Sequence, residues 1–242
     1  MSKKLINSKI STGLVGYWPL NGNSQDRLGI NHGVDTNVTY TTGKVGQGAY
    51  FNGVQFSSGS RIAIGTNSSF NFIHQTQIFS LSFWLKANNY TSLNGLFLAS
   101  TYPLVGSIPN GVGIIASIQP DGSLFFQVQV TPLSNTDGVY AHTNPGVITD
   151  NGFHHIVLTV DRSITTSKIY VDGVYVTTID AGAWNLGTGD ANILTLGAWM
   201  YAWGSYQFVF GGVLDEFAIW NRVLSEYEIK RIYNSNKGLR LA

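Results

Sequence analysis

The 242-residue chain is 43% hydrophobic and 13% aromatic, yet only 11% of its residues are charged, under half of the roughly 25% usual in globular domains. Fourteen Lys and Arg against 13 Asp and Glu leave a net charge of +1, and there are 28 glycines and no cysteine. Scattered, balanced charge excludes a basic nucleic-acid face. The lack of any run of about 18 apolar residues excludes a membrane-spanning helix. Zero cysteine excludes disulfides, thiolate zinc sites and cysteine nucleophiles.

The chain opens MSKKLINSKI, which begins like a secretory leader, but Asn7, Ser8, Lys9 and Ser11 interrupt its apolar stretch, where such a leader needs about 7–15 apolar residues. The reading is a tail over 1–12 and a protein made in the cytoplasm without a cleaved signal. From there the dominant pattern has period two. In QIFSLSFWLKA (77–87), Phe79, Leu81, Phe83 and Leu85 share one face, and Ser80, Ser82 and Lys86 the other. In SLFFQVQVT (123–131), Leu124, Phe126, Val128 and Val130 face opposite to Phe125, Gln127, Gln129 and Thr131. Asp121-Gly122 and Asp172-Gly173 are hairpin turn signals between β-branched runs. Further strands are expected near 14–19, 48–52, 61–64, 96–100, 112–119, 153–160, 193–199, 206–210 and 213–220. One helix is expected at the C-terminus, opened by a Ser225/Glu228 capping box and stopped at Gly238. A dozen or so short strands punctuated by Gly, Asn and Asp predict an all-β, antiparallel β-sandwich or barrel with that one short C-terminal helix. The domain is placed at 13–235, with a C-terminal tail over 236–242.

Five ordered blocks carry a resemblance: GLVGYWPLNGNSQDRLGINHG (13–33), GKVGQGAYFNG (43–53), NGFHHIVLTVD (151–161), KIYVDGV (168–174) and GGVLDEFAIWNRVLSEYEIKRIY (211–233). Together they resemble a laminin-G-like domain of the concanavalin A-like lectin/glucanase superfamily. The resemblance implies a jelly roll of two curved antiparallel sheets, with GYWPL as an edge strand and Trp18 buried. It leaves function open, because this fold hosts lectins, adhesion modules, glycosidases and structural domains. Many relatives bind calcium through the aspartate at the position of Asp215, so the resemblance implies a structural calcium ion held by Asp215, Asp26 and the Gly53 carbonyl. Strand alternation places Asp215 on an apolar face with Val213, Phe217 and Ile219, where a carboxylate needs a partner. The alternative to a metal is that Asp215 accepts backbone hydrogen bonds or pairs with Arg222 or Arg27.

A glycosidase needs two carboxylates about 5–10 Å apart, and glucanases of this superfamily carry them in a Glu-x-Asp-x-x-Glu pattern that is absent from this sequence. No Gly-x-Ser-x-Gly elbow, His-Glu-x-x-His or phosphate loop occurs. His154 and His155 alternate across a strand, so they cannot share a metal and read as packed or hydrogen-bonded strand residues. The departure from the family pattern is AWMYAWGSYQFVF (198–210), which crowds Trp199, Met200, Tyr201, Trp203 and Tyr206 into eight residues. With Trp184 these aromatics are the candidate ligand-binding surface, since aromatic faces stack on the C–H faces of sugars; ordinary core is the competing reading. Tyr90, Tyr102 and Tyr140, placed on loops, are weaker candidates.

These residues favour a non-catalytic recognition or display module without catalytic residues. It is read as a phage virion surface protein (decoration, fibre or tail) that binds a glycan or cell-surface polymer, or contacts other virion subunits or a second copy of itself. A soluble carbohydrate-binding lectin is the alternative, and a glycoside-active enzyme comes third.

Overall fold

Period-two alternation resolves into two stacked antiparallel sheets. The computed structural model describes residues 10–54, 58–66, 68–88, 96–100, 104–105, 108–109, 112–130, 138–178, 184–190, 193–200, 206–207 and 209–241. In chain order the first strands are β1 (Leu14–Trp18), β2 (Gly33–Thr36), β3 (Thr39–Thr42), β4 (Gln47–Asn52), β5 (Arg61–Ile64), β6 (Ile78–Ala87), β7 (Leu96–Ser100), β8 (Leu104–Val105) and β9 (Ile108–Pro109). They are followed by β10 (Gly113–Ile118), β11 (Leu124–Gln129), β12 (Gly138–His142), β13 (His154–Asp161), β14 (Thr166–Val171), β15 (Val174–Thr178), β16 (Leu194–Leu196), β17 (Trp199–Met200), β18 (Tyr206–Gln207) and β19 (Gly211–Trp220). The first sheet runs β15-β14-β13-β6-β19-β4-β3, with β1 also paired to β19, and the second runs β12-β11-β10-β7-β16-β5-β2. Among the described residues, no helix is long and apolar enough to cross a membrane.

The predicted faces hold. Phe79, Leu81, Phe83 and Leu85 of β6 point into the space between the sheets, where they meet Leu124, Phe126 and Val128 of β11 and Ile156, Leu158 and Val160 of β13. Trp18 ends β1 fully buried, as expected, with its ring 5.9 Å from that of Phe217, which stacks on Phe83 at 5.7 Å. Its indole N–H donates to the Asn31 carbonyl (2.7 Å), so the buried polar atom is satisfied.

The first sheet also has a second apolar layer on its outer side. Tyr17, Val157, Tyr170, Ala218 and Trp220 are roofed there by Leu224, Ile229 and Ile232 and by Ile10 and Leu241 from the two ends of the chain. The C-terminal helix Glu226–Tyr233 supplies the roof, opened by the expected capping box: Ser225 accepts from the Glu228 N–H, and the Glu228 side chain reaches back to the Ser225 N–H. It stops earlier than expected, at Asn234 rather than Gly238. Asn234 takes the left-handed conformation (φ 51°), which Asn tolerates because its short amide bonds locally, here to the Gly238 carbonyl at 2.9 Å.

Sequence reading missed β2 and β3, whose residues GVDT and TYTT are polar and partly exposed at sheet edges. Strands like these carry no buried alternating face, so backbone pairing with β5 and β4 defines them. It also placed Tyr140 on a loop, whereas Tyr140 sits in β12, opposite Gln127 of β11.

Replacing Phe217 with Ala removes the ring that both Trp18 and Phe83 pack against. The expected cost is about 3–5 kcal/mol of unfolding free energy, measured by denaturant unfolding beside Phe217→Leu, which should lose less than half as much.

Candidate functional site

The two carboxylates of the LDEF block occupy a β-bulge. Between β19 and β6 the register passes from Asp215↔Trp84 to Ala218↔Ser82, one residue more on β19 than on β6. Glu216 absorbs the extra residue with φ +51°, the left-handed conformation that one class of bulge uses. The bulge alters which residues share a face: Leu214, Phe217 and Ile219 enter the core between the sheets, while Asp215 and Glu216 both meet groups of the outer layer. Asp215 therefore does not share a face with Phe217 and Ile219, contrary to simple alternation.

Asp215 is fully buried, and its Oδ2 accepts from the backbone N–H groups of Lys44 (2.7 Å) and Val45 (2.8 Å) while Oδ1 accepts from Glu216 N–H (2.8 Å). The turn joining β3 to β4 reaches the carboxylate only because it is built from glycines. A Cβ on Gly43 would lie 2.6 Å from Asp215 Oδ2, and one on Gly48 would lie 2.7 Å from Val213 Cγ1. The GKVGQG and LDEF blocks are thus two halves of one clamp. Glu216 accepts a short hydrogen bond from the Tyr17 hydroxyl, and Arg240 Nε lies 3.9 Å from its other oxygen. Burial pushes Asp215 up to about 7, against the three N–H donors, and pushes Glu216 up to about 8. Burial and the neighbouring Glu216 also raise Tyr17 far above its ordinary value.

These residues do not fit the calcium site that the resemblance implies. Asp26, also buried, accepts from Tyr17 N–H and Leu28 N–H on Oδ1 (both 3.0 Å) and from Ile30 N–H (3.3 Å) and Asn31 N–H (3.0 Å) on Oδ2. Both aspartates therefore face N–H dipoles, whereas calcium needs six to eight oxygen ligands turned to one point. Gly53 lies five residues along β4 from Gly48, the residue against Asp215, about 16 Å at the strand rise. Among the described residues, no three His, Asp or Glu side chains converge on a metal position. Of the alternatives for Asp215, backbone hydrogen bonding is the one observed. Arg222 pairs instead with Glu228, through bonds of 2.7 and 2.9 Å.

The adjacent histidines have opposite surroundings. His154 is bridged by two carboxylates, with Nδ1 2.9 Å from Asp172 Oδ2 and Nε2 3.1 Å from Asp150 Oδ1. The Asp172 hydrogen bond holds its pKa above the usual imidazole value despite burial. His155 is fully buried, bonded through Nε2 to Ser82 Oγ at 2.9 Å and packed on Trp84 and Tyr233. Burial drives it down to about 3. Both are hydrogen-bonded strand residues, as their alternation indicated.

Of the predicted aromatic surface, Tyr201 and Trp203 lie outside the described residues, as do Tyr90, Tyr102 and the side chains of Trp199 and Tyr206. The backbone of Trp199–Met200 pairs with Tyr206–Gln207 in a two-stranded ribbon. Trp184 is half-buried and packs on the core between the sheets. A different aromatic group stands on the outer face of the second sheet, where sequence had marked only Tyr140 as a weak candidate. Phe125 and Tyr140 are half-buried and stack at 6.4 Å across β11 and β12, and exposed His142 continues the row at 6.5 Å from Tyr140. Gln127 lies opposite Tyr140 and Phe125 opposite His142, so the amide and the rings share one surface. The sequence signal was the alternation of β11, which assigned Phe125 and Gln127 to the face away from the core.

The family model described as the concanavalin A-like lectin/glucanases superfamily, of laminin-G type, matches residues 57–230, and the chain belongs to this family. Among solved structures, it is similar to domain 4 of AbnA, a GH43 extracellular arabinanase from Geobacillus stearothermophilus, in complex with arabinotriose. That likeness has 20% identity and a TM-score of 0.63 and covers 90% of this chain and 97% of that one. It is also similar to the binding domain of botulinum neurotoxin DC in complex with SialylT (16% identity, TM-score 0.68, 94% of this chain and 52% of that one). The binding domain of Paraclostridial Mosquitocidal Protein 1 gives 21% identity and a TM-score of 0.63 over 93% and 53%. The chain spans about half the length of these two toxin domains, and at such identities the likeness is one of fold. No curated protein sequence matches the chain.

Two outcomes follow from these contacts. A chelator should leave the melting temperature unchanged, whereas Asp215→Ala, which strands three N–H donors, should cost about 2–5 kcal/mol in the same assay. For the histidines, His154's stabilising share is complete below its ordinary value of about 6.5 and is lost as pH rises through its raised pKa. His155's share is present above about 6.5 and falls away toward pH 3, by about 1.4 kcal/mol per unit. Imidazole NMR titration should show one ring titrating above 6.5 and its neighbour still neutral near pH 4.

Proposed function

We propose that this protein is a non-catalytic glycan-binding module. The observation that carries the reading is the row of Phe125, Tyr140 and His142 beside Gln127 on the outer face of the second sheet. Half-exposed rings offer flat faces for the C–H surface of a sugar, and an adjacent amide gives both a donor and an acceptor for its hydroxyls. Solved structures of the same fold support this: one is a complex with arabinotriose and another a complex with SialylT.

The acids support a non-catalytic role. Asp26 and Asp215 are held by backbone N–H groups, Asp121 caps its own turn through Ser123, Asp172 and Asp150 hold His154, and Glu228 pairs with Arg222. Each has a structural occupation that acid–base chemistry would disturb. Display on a phage virion, the finer part of the sequence reading, rests on the family resemblance alone and adds no residue to this surface.

Binding is tested on an array of immobilised plant and animal oligosaccharides with the intact chain and the Phe125→Ala/Tyr140→Ala variant. The expected result is binding by the parent protein and a loss of about 2 kcal/mol, roughly thirty-fold, in the variant. An unchanged melting temperature shows that the sandwich is intact. Reducing ends released from the bound oligosaccharides would overturn the non-catalytic assignment.

A further inference from the structure

The outer side of the first sheet holds a second candidate site, on a different sheet from the aromatic row. The C-terminal helix roofs only part of this sheet. Ser80 of β6 holds the segment leading to the helix, its hydroxyl donating to the Arg222 carbonyl (2.9 Å) and accepting from Leu224 N–H (2.8 Å). Beside that segment the sheet is open, and a cavity of about 180 Å³ remains between β13, β14 and the start of the helix.

Strand register sets its lining. Thr159 pairs with Lys168 and Asp161 with Thr166, and these residues alternate with the inward-facing Leu158, Val160 and Ile169. Tyr170 lies two residues beyond Lys168, and its hydroxyl is hydrogen-bonded to the side chain of Glu226, the first residue of the helix, at the edge of the cavity. Burial, and then the Glu226 carboxylate, push the Tyr170 hydroxyl up to about 12, so it keeps its proton and donates it to Glu226 throughout the physiological range. Asp161 Oδ1 accepts from the Ser163 N–H and hydroxyl, and Oδ2 accepts no bond from a described residue. Among the described residues, the Lys168 ammonium has only the Tyr175 ring as a partner, at 6.0 Å. Ile164, 64% exposed, adds an apolar edge.

Donors, acceptors and an apolar edge around one small volume are what a polyhydroxylated ring requires, since each hydroxyl both gives and takes a hydrogen bond. At about 180 Å³ the cavity is smaller than the roughly 300–1,000 Å³ of drug-sized ligand pockets, the room of one sugar ring rather than of a chain. Two carboxylates against one ammonium disfavour an acidic sugar.

We propose that this cavity is a subsite for a single neutral sugar residue, such as the terminal residue of a glycan, held by Asp161, Lys168 and Glu226. The inference rests on the glycan-binding reading and adds a class of sugar and a second place to it.

The test uses the intact, isotope-labelled protein, titrated by NMR with L-arabinose, D-galactose, D-glucose and N-acetylneuraminic acid, beside Asp161→Asn and Lys168→Ala. At least one neutral sugar should shift the resonances of Thr159, Lys168 and Glu226. N-acetylneuraminic acid should bind about ten-fold more weakly, and each variant should weaken the neutral sugar about ten-fold. Neutral-sugar shifts confined to Phe125, Tyr140 and His142, or unchanged affinity in both variants, would overturn the subsite and leave the glycan-binding reading standing. If no sugar shifts any resonance and the oligosaccharide array is also blank, both fall together.

Discussion

The structure depends on one buried carboxylate. Asp215 holds the turn between β3 and β4 onto β19 through the Lys44 and Val45 N–H groups, at the bulge where Glu216 turns toward Tyr17 and Arg240. A carboxylate removed from water is costly unless donors surround it, and here the donors are main-chain groups of a distant segment. Satisfying them joins residues 43–48 to residues 213–216, beside the Tyr17 hydroxyl that the Leu241 N–H reaches. The same bulge lets Phe217 face inward against Trp18 and Phe83. One residue of register shift thus aligns the inner core and the outer layer together.

This arrangement explains how a chain so poor in charge uses its acids. Most serve as local caps or clamps: Asp26 gathers four N–H groups, Asp161 caps a 3₁₀ turn, and Glu228 closes the capping box while binding Arg222. The polar groups left facing outward lie on strand faces, where alternation presents them beside aromatic or apolar neighbours. Such mixed surfaces suit uncharged, hydroxyl-rich ligands, because rings cover C–H faces while amides, hydroxyls and single charges meet the hydroxyl groups.

Much of the sandwich was legible in the sequence. Clean alternation in 79–85 and 124–128, the Asp-Gly turns and the Ser225/Glu228 box each encode a local preference that the structure satisfies. The edge strands 33–36 and 39–42 were not legible, because polar residues at a sheet edge carry no burial pattern. The candidate sites were read less well. Aromatic density singles out 198–206, yet Phe125 and Tyr140, the ring pair on the outer face of the second sheet, lie fifteen residues apart and meet only through β11–β12 pairing. The face of Asp215 was misplaced for a related reason: alternation counts residues evenly, and a bulge interrupts the count.

The sequence by itself determined the all-β class, the hairpin turns, the capped helix and the inward face of each strong strand, because these depend on neighbours within a few residues. Only the tertiary structure decided that Asp215 is a clamp on residues 44 and 45, that Phe125, Tyr140 and His142 form one row, and that Asp161, Lys168 and Glu226 border one cavity. Those groupings join segments up to 171 residues apart. Strand order and register create them, and neither is written in any local stretch of the chain.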